Sequence, residues 1–153
     1  SVNGQEVKGA LQKGYLSIDR RWKKGDVVEI HFDMQPRVVK ANDKVAADRG
    51  RVAIECGPLV YCAEWPDNDF DISTLLLNRH PKFQVVERPD LLGGINEITT
   101  RAQALSYDAT GRLAAKDVKL TLIPYYAWAH RGEGRMEVWL PIEVGAASAE
   151  LQE

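Results

Sequence analysis

The sequence predicts an all-β chain folded as antiparallel β-sandwiches, with a partial sandwich first and a second small one after it. Three observations carry this. Apolar residues alternate with polar ones at a period of two in several segments, as in strands with one solvated face. Turn-forming residues recur at short intervals. Almost no segment shows the 3.6-residue period of a helix.

Taken in order, Val2-Asn3-Gly4-Gln5 reads as a strand end running into a hairpin turn. Tyr15–Ile18 reads as a strand, led in by Lys13-Gly14. Lys24-Gly25-Asp26 is a turn signal. From Asp26 to Met34 the alternation is clean, with Val28, Ile30, Phe32 and Met34 on one side and Glu29, His31 and Asp33 on the other. This predicts a half-buried strand. Val38-Val39 begins another. In Ala41–Gly50, Asn42 or Asp43 suits the start of one helical turn and Gly50 its end; an irregular connection fits equally. Arg51–Glu64 is a long apolar stretch broken by Gly57-Pro58, which marks a bulge or a strand edge.

The polar run Trp65–Asp69 suggests a boundary. It divides the chain into residues 1–65, a partial sandwich, and 66–145, a second small one. Residues 146–153 read as a frayed tail. Ile72–Leu77 is open between a short helix and a strand. Phe83–Val86, Ile95–Thr100, Lys116–Ile123 and Met136–Leu140 are the remaining strands.

The 153 residues suit one domain or two small ones. Asp and Glu number 22 against 20 Lys and Arg, and the signs are interspersed. No charge block suggests nucleic acid or a membrane surface as partner. No apolar run reaches the ~20 residues that cross a bilayer. Ser1–Gly4 has neither the charged start nor the apolar stretch of a signal peptide. The chain reads as part of a longer protein, and the compartment stays open, with bacterial cytoplasm and periplasm both compatible. Cys56 and Cys62 would be about 20 Å apart on one straight strand, beyond disulfide reach, and a bend at Gly57-Pro58 would bring them closer. Their spacing is not that of a zinc pair, so both are expected as buried thiols.

Four segments carry a family resemblance when taken together and in order: Trp22–Val28 (WKKGDVV), Gly50–Cys62 (GRVAIECGPLVYC), Asp90–Gly94 (DLLGG) and Ile123–Gly132 (IPYYAWAHRG). They resemble the C-terminal region of glycoside hydrolase family 127, the β-L-arabinofuranosidase family, over nearly the whole chain to about Val144. The resemblance implies an (α/α)6 catalytic barrel elsewhere in the parent, with zinc held by one glutamate and three cysteines, followed by β-sandwiches. It places this chain in the sandwiches, with residues 1–65 as the C-terminal part of a middle sandwich and 66–145 as the C-terminal sandwich, acting on no bond itself. No position matches the catalytic cysteine pair or the zinc glutamate, so no catalytic or metal residue is assigned and no cofactor is expected in this chain. The implied partners are the catalytic domain, a second copy in a homodimer, and carbohydrate.

The residues themselves agree. A glycosidase needs two facing carboxylates, or a nucleophile and an acid. The acids here fall singly on solvated strand faces or in turns. Asp67, Asp69 and Asp71 alternate, but without the glycine and glutamate of a calcium loop. His31, His80 and His130 have no partner at a recognisable spacing. The candidate contact residues are Tyr125, Tyr126, Trp128 and Arg131, because aromatic faces stack on sugars and guanidinium binds hydroxyls. Tyr126 and Trp128 would share a face on a strand. Core packing and contact with another domain are the alternatives. Trp139 alternates away from the core and is an interface candidate. Two other functions compete with the accessory role: a free-standing carbohydrate-binding module, and a purely structural adhesion-type sandwich.

Overall fold

A computed structural model describes residues 1–148. The chain is nearly all β and antiparallel, with eleven strands among the described residues. It divides into two compact units, Ser1–Asp33 and Met34–Glu153.

The first unit holds one two-stranded sheet, β1 (Leu11–Gln12) and β2 (Tyr15–Leu16). Lys13 and Gly14, at φ 52° and 85°, form the tight turn between them. The hairpin turn expected at the start is also present: Val2 bridges Gln5 around Asn3 and Gly4, at φ 52° and 74°. Left-handed residues at both central positions are what a two-residue hairpin requires. The strand expected from Asp26 to Met34 does not form; Val28 makes a single bridge to Val2. Alternation prepares a strand, but a ladder needs a partner backbone on each residue. Val28, Ile30 and Phe32 are instead 50%, 72% and 61% exposed. This unit is therefore not a sandwich in itself.

The second unit is built on a nine-stranded antiparallel sheet. Its strands are β3 (Pro36–Val39), β4 (Arg51–Cys56), β5 (Leu59–Glu64), β6 (Leu75–Leu77), β7 (Gln84–Arg88), β8 (Ile95–Tyr107), β9 (Leu113–Pro124), β10 (Met136–Glu137) and β11 (Leu140–Pro141). β4 and β5 form a hairpin in which Cys56 pairs with Leu59. Gly57-Pro58 is thus its turn and not a bulge; Gly57 takes the positive φ of 56° that the first central position needs. β5 pairs with β9, β9 with β8, and β8 with both β6 and β7. Because β5 joins this sheet, residues 51–64 belong with the later strands. The division falls after Asp33, whereas the polar run at Trp65 suggests 65. Trp65–Asp67 is a single 3-10 turn inside the second unit.

Core residues lie on both faces of the sheet. Ile54, Tyr61, Leu75, Ile98, Leu120 and Leu122 belong to the main core. On the other face a smaller cluster gathers Cys62, Ile95, Ile123 and Ala127. The two sets fall on opposite parities of β8 and β9, as the pleat requires. The ambiguous stretch from Ile72 resolves into a 3-10 turn (Ile72–Thr74), capped by the Asp71 carboxylate, and then β6. In Ala41–Gly50 the helical turn is 3-10, Ala46–Asp48, with Gly50 at φ 73° beyond it. The predicted strand Met136–Leu140 is split in two, since β10 pairs with β5 while β11 pairs with β4. Residues 146–148, expected to begin the frayed tail, are the end of a helix instead. Helix α1 spans Val144–Ser148, Ala147 is fully buried, and residues 149–153 lie outside the described part.

Candidate functional site

The most aromatic segment starts where β9 ends. Pro124 closes the strand, and Tyr125–Ala127 turns as a 3-10 helix. Strand alternation therefore stops there, and the shared face expected for Tyr126 and Trp128 does not arise. Instead Tyr125 stacks on Trp128, with ring centroids 6.1 Å apart and planes at 24°. Trp128 is 38% exposed and Tyr126 61% exposed. Tyr126 stands at the rim of a cleft of about 330 Å³ that also includes Leu59, Tyr61, Arg88 and Asn96.

Beneath this segment lies an ion cluster. The guanidinium of Arg131 grips Asp67 with two bonds, Nη1 to Oδ1 at 2.6 Å and Nη2 to Oδ2 at 2.5 Å, and Nη2 also bonds Glu64 Oε2. Glu64 is 2% exposed, at the end of β5. Its other oxygen accepts the N–H of Ala129 at 2.8 Å. Ala129 has φ 65°, a strained value for a residue with a Cβ, and Glu64 helps pin it. The hydrogen bonds to Asp67 and Glu64 hold Arg131 well above the ordinary arginine range. The same cluster bears on Cys62: burial, then the charges of Glu64 and Asp67, push its thiol up to about 12. Trp65 closes over the following loop, where a Cβ on Gly134 would lie 2.0 Å from the indole. Gly134 leaves room for that ring.

The predicted site residues thus separate. Tyr125 and Trp128 come together, Tyr126 stands apart on an open rim, and the Arg131 guanidinium is turned to carboxylates. Trp139 is half-buried between β10 and β11, and its carbonyl accepts Arg51 Nη1 at 3.1 Å. The aspartates of the alternating run are put to separate uses, Asp67 with Arg131 and Asp71 with the N–H and hydroxyl of Ser73. Sequence reasoning misses Glu64 as the centre of the cluster. Its one signal is an acid closing an otherwise apolar strand.

Cys56 and Cys62 are both buried, and neither forms a disulfide. They belong to different hydrophobic clusters on opposite faces of the sheet, so they cannot share one ion. Among the described residues, no three His, Cys, Asp or Glu side chains converge on a metal position. The zinc set that the resemblance places in the catalytic barrel needs three cysteines, and this chain has two.

Comparison with known proteins decides the family. The model of the glycoside hydrolase family 127 C-terminal domain matches residues 36–141, and that of the GH127 β-L-arabinofuranosidase middle domain matches residues 1–34. The chain belongs to glycoside hydrolase family 127. The junction between the two matches lies within about two residues of the division of the structure after Asp33. Family members similar to it include the non-reducing end β-L-arabinofuranosidase of Bifidobacterium longum subsp. longum, 36% identical over 91% of this chain and 23% of that protein. A solved GH127 β-arabinofuranosidase is 70% identical with a TM-score of 0.85, over 95% of this chain and 23% of the other. The GH127 β-L-arabinofuranosidase of Geobacillus stearothermophilus T6 is 36% identical, with a TM-score of 0.77, over 92% and 24%. The chain therefore spans about a quarter of the length of these relatives.

Proposed function

We propose that this chain is the non-catalytic β region of a glycoside hydrolase acting on L-arabinofuranosides, and that it serves by supporting a catalytic domain in the same protein. The observation that carries this reading is the tiling of residues 1–34 and 36–141 by the middle and C-terminal domain models, in order, over a quarter of the relatives' length. Two features favour it. The buried carboxylates nearest the aromatic segment are engaged by Arg131 and Ala129, which suits a structural knot more than acid–base work. The apolar row Val28, Ile30 and Phe32 is bare, which suits docking on further strands of the middle domain.

The partly exposed Tyr126 and Trp128 favour a second reading, direct contact with sugar. One experiment separates the readings. The longer enzyme is compared with a version truncated before Ser1, using hydrolysis of an aryl β-L-arabinofuranoside and thermal unfolding. The supporting role predicts a lower melting temperature for the truncated enzyme and no turnover by the 153-residue chain alone. Turnover by the chain alone, abolished by substituting one of its own residues, would overturn it. Loss of activity on polymeric substrate only, with stability unchanged, would favour the sugar-contact reading.

A further inference from the structure

A second cleft, of about 810 Å³, opens on β8 and β9 away from the aromatic segment. β7 pairs with Ile95–Thr99 of β8 and β6 with Ala102–Ala104 on the same edge, so Thr100 and Arg101 mark the gap between them. The loop from Asn78 crosses there, tied by its side-chain amide to the Arg101 carbonyl at 3.2 Å. Thr99, Arg101, Asp117 and Lys119 line the cleft, and the loop adds His80 and Lys82.

The charge arrangement is unusual. Arg101 lies directly opposite Lys119 in the antiparallel register. Side chains so placed have Cβ atoms about 5 Å apart, and like charges there repel. Among the described residues, no carboxylate forms an ion pair with Arg101, Lys119 or Lys82. Asp117, the one acid in the cleft, accepts from Gln103 at 3.4 Å. On an open convex surface, water and salt would screen such a pair. Here both side chains remain exposed to that screening, but the concave walls focus the field of both cations into one space. An anion between them would turn the repulsion into a clamp.

We infer that this cleft binds the carboxylate of an acidic sugar, a uronate unit of an oligosaccharide, through Arg101 and Lys119. A guanidinium presents a planar fork that fits a carboxylate, and the ammonium opposite adds a point charge. The volume exceeds that of a single inorganic ion and falls among small-ligand clefts. Thr99 and the side chains at the loop supply partners for hydroxyls. The choice of a sugar rests on the proposed function; the choice of an anion rests on the register and the cleft.

The test is a titration of the 153-residue chain, followed by backbone amide NMR, with oligogalacturonate, with a neutral galactose oligomer of equal length, and with sulfate. The expected result is saturable shifts at Thr99–Ala102 and Val118–Leu120 with oligogalacturonate, weakened by added salt. R101Q/K119Q should lose about tenfold or more in affinity. D117N, which removes only the competing carboxylate, should bind more tightly. No saturation, equal binding of the neutral oligomer, or undiminished binding by R101Q/K119Q would overturn the inference. So would sulfate binding as tightly as oligogalacturonate, which would mean an adventitious ion only. None of these readouts measures arabinofuranoside hydrolysis or enzyme stability, so failure here leaves the proposed function standing.

Discussion

In the first 33 residues, Val2 is the one hydrophobic side chain that is buried, and polar contacts fix the backbone. Asn3 receives the N–H of Val27 at 2.8 Å and donates to Asp26 at 2.9 Å; Ser1 bonds Glu29 through both its amino group and its hydroxyl. In the second unit the same alternating pattern leads to a core. Leu120 and Leu122 of β9 are fully buried, and every residue from Leu113 to Leu122 has a cross-strand partner on β8. Two segments with equal period-two patterns thus end differently. The difference is the presence of a neighbouring strand, because alternation decides which face is apolar and pairing decides whether that face is covered.

Stability should fall furthest when the ion cluster of the second unit is opened. Arg131→Ala would strand the buried Glu64 and the Asp67 carboxylate. Breaking such a pair by removing one partner costs about 3–5 kcal/mol. Denaturant unfolding should show it as a large fall in midpoint with little change in slope. Replacing the trio with apolar residues should cost far less, because no charge is then left buried alone.

A matched pair of truncations sets the two units side by side. Leu122→Ala should cost about 2–5 kcal/mol, the usual range for a buried leucine. Ile30→Ala, in an equally regular pattern, should stay within about 0.5 kcal/mol in the same chain, as exposed substitutions do. Equal losses would mean that the first unit hides a core of its own.

Alkaline pH should weaken the second unit next. Burial raises the Tyr61 hydroxyl from 10.0 to about 12, while it donates to the Asn96 carbonyl at 3.0 Å. Cys62 rises from 9.0 to about 12. The native state keeps both protons where the unfolded chain has lost them. The associated stability is intact below pH 9 and should fall progressively from there toward pH 12. Cys62→Ala should remove the part of the slope that begins near 9, leaving the part due to Tyr61.

A smaller change still is expected at Trp128. It is partly exposed and its main ring contact is Tyr125, so Trp128→Ala is expected to cost about 1 kcal/mol, near the value of one aromatic pair. A loss of ~3–5 kcal/mol would place it among fully packed tryptophans.

The fold class is legible in the sequence because most alternating segments also have partners. The patterns at Ile95–Thr100 and Lys116–Ile123 mark β8 and β9 in place, although both strands run longer than their clean patterns. The pattern at 26–34 misleads because it carries no information about which backbone lies alongside. Met136–Leu140 looks like one strand for the same reason; its halves pair with β5 and β4, a choice made by tertiary position. At the candidate site, composition reveals the aromatic residues but not their geometry, since the 3-10 turn after Pro124 replaces alternation with a stack. Glu64, Asp67 and Arg131 are brought together across 64 and 67 residues, and no local spacing announces such a cluster. The family resemblance succeeds where pattern cannot, because it reads the whole order of segments at once.

If this chain works by docking on the rest of a larger enzyme, the bare row at Val28, Ile30 and Phe32 is part of the contact. Amide hydrogen exchange compares that row directly in the 153-residue chain and in the full-length enzyme. Docking predicts fast exchange at residues 30–32 in the isolated chain, beyond the Val2–Val28 bridge and the Ser1–Glu29 hydrogen bonds, and strong protection in the full enzyme, with β8 and β9 protected in both. Equal protection of residues 30–32 in the two proteins would contradict it.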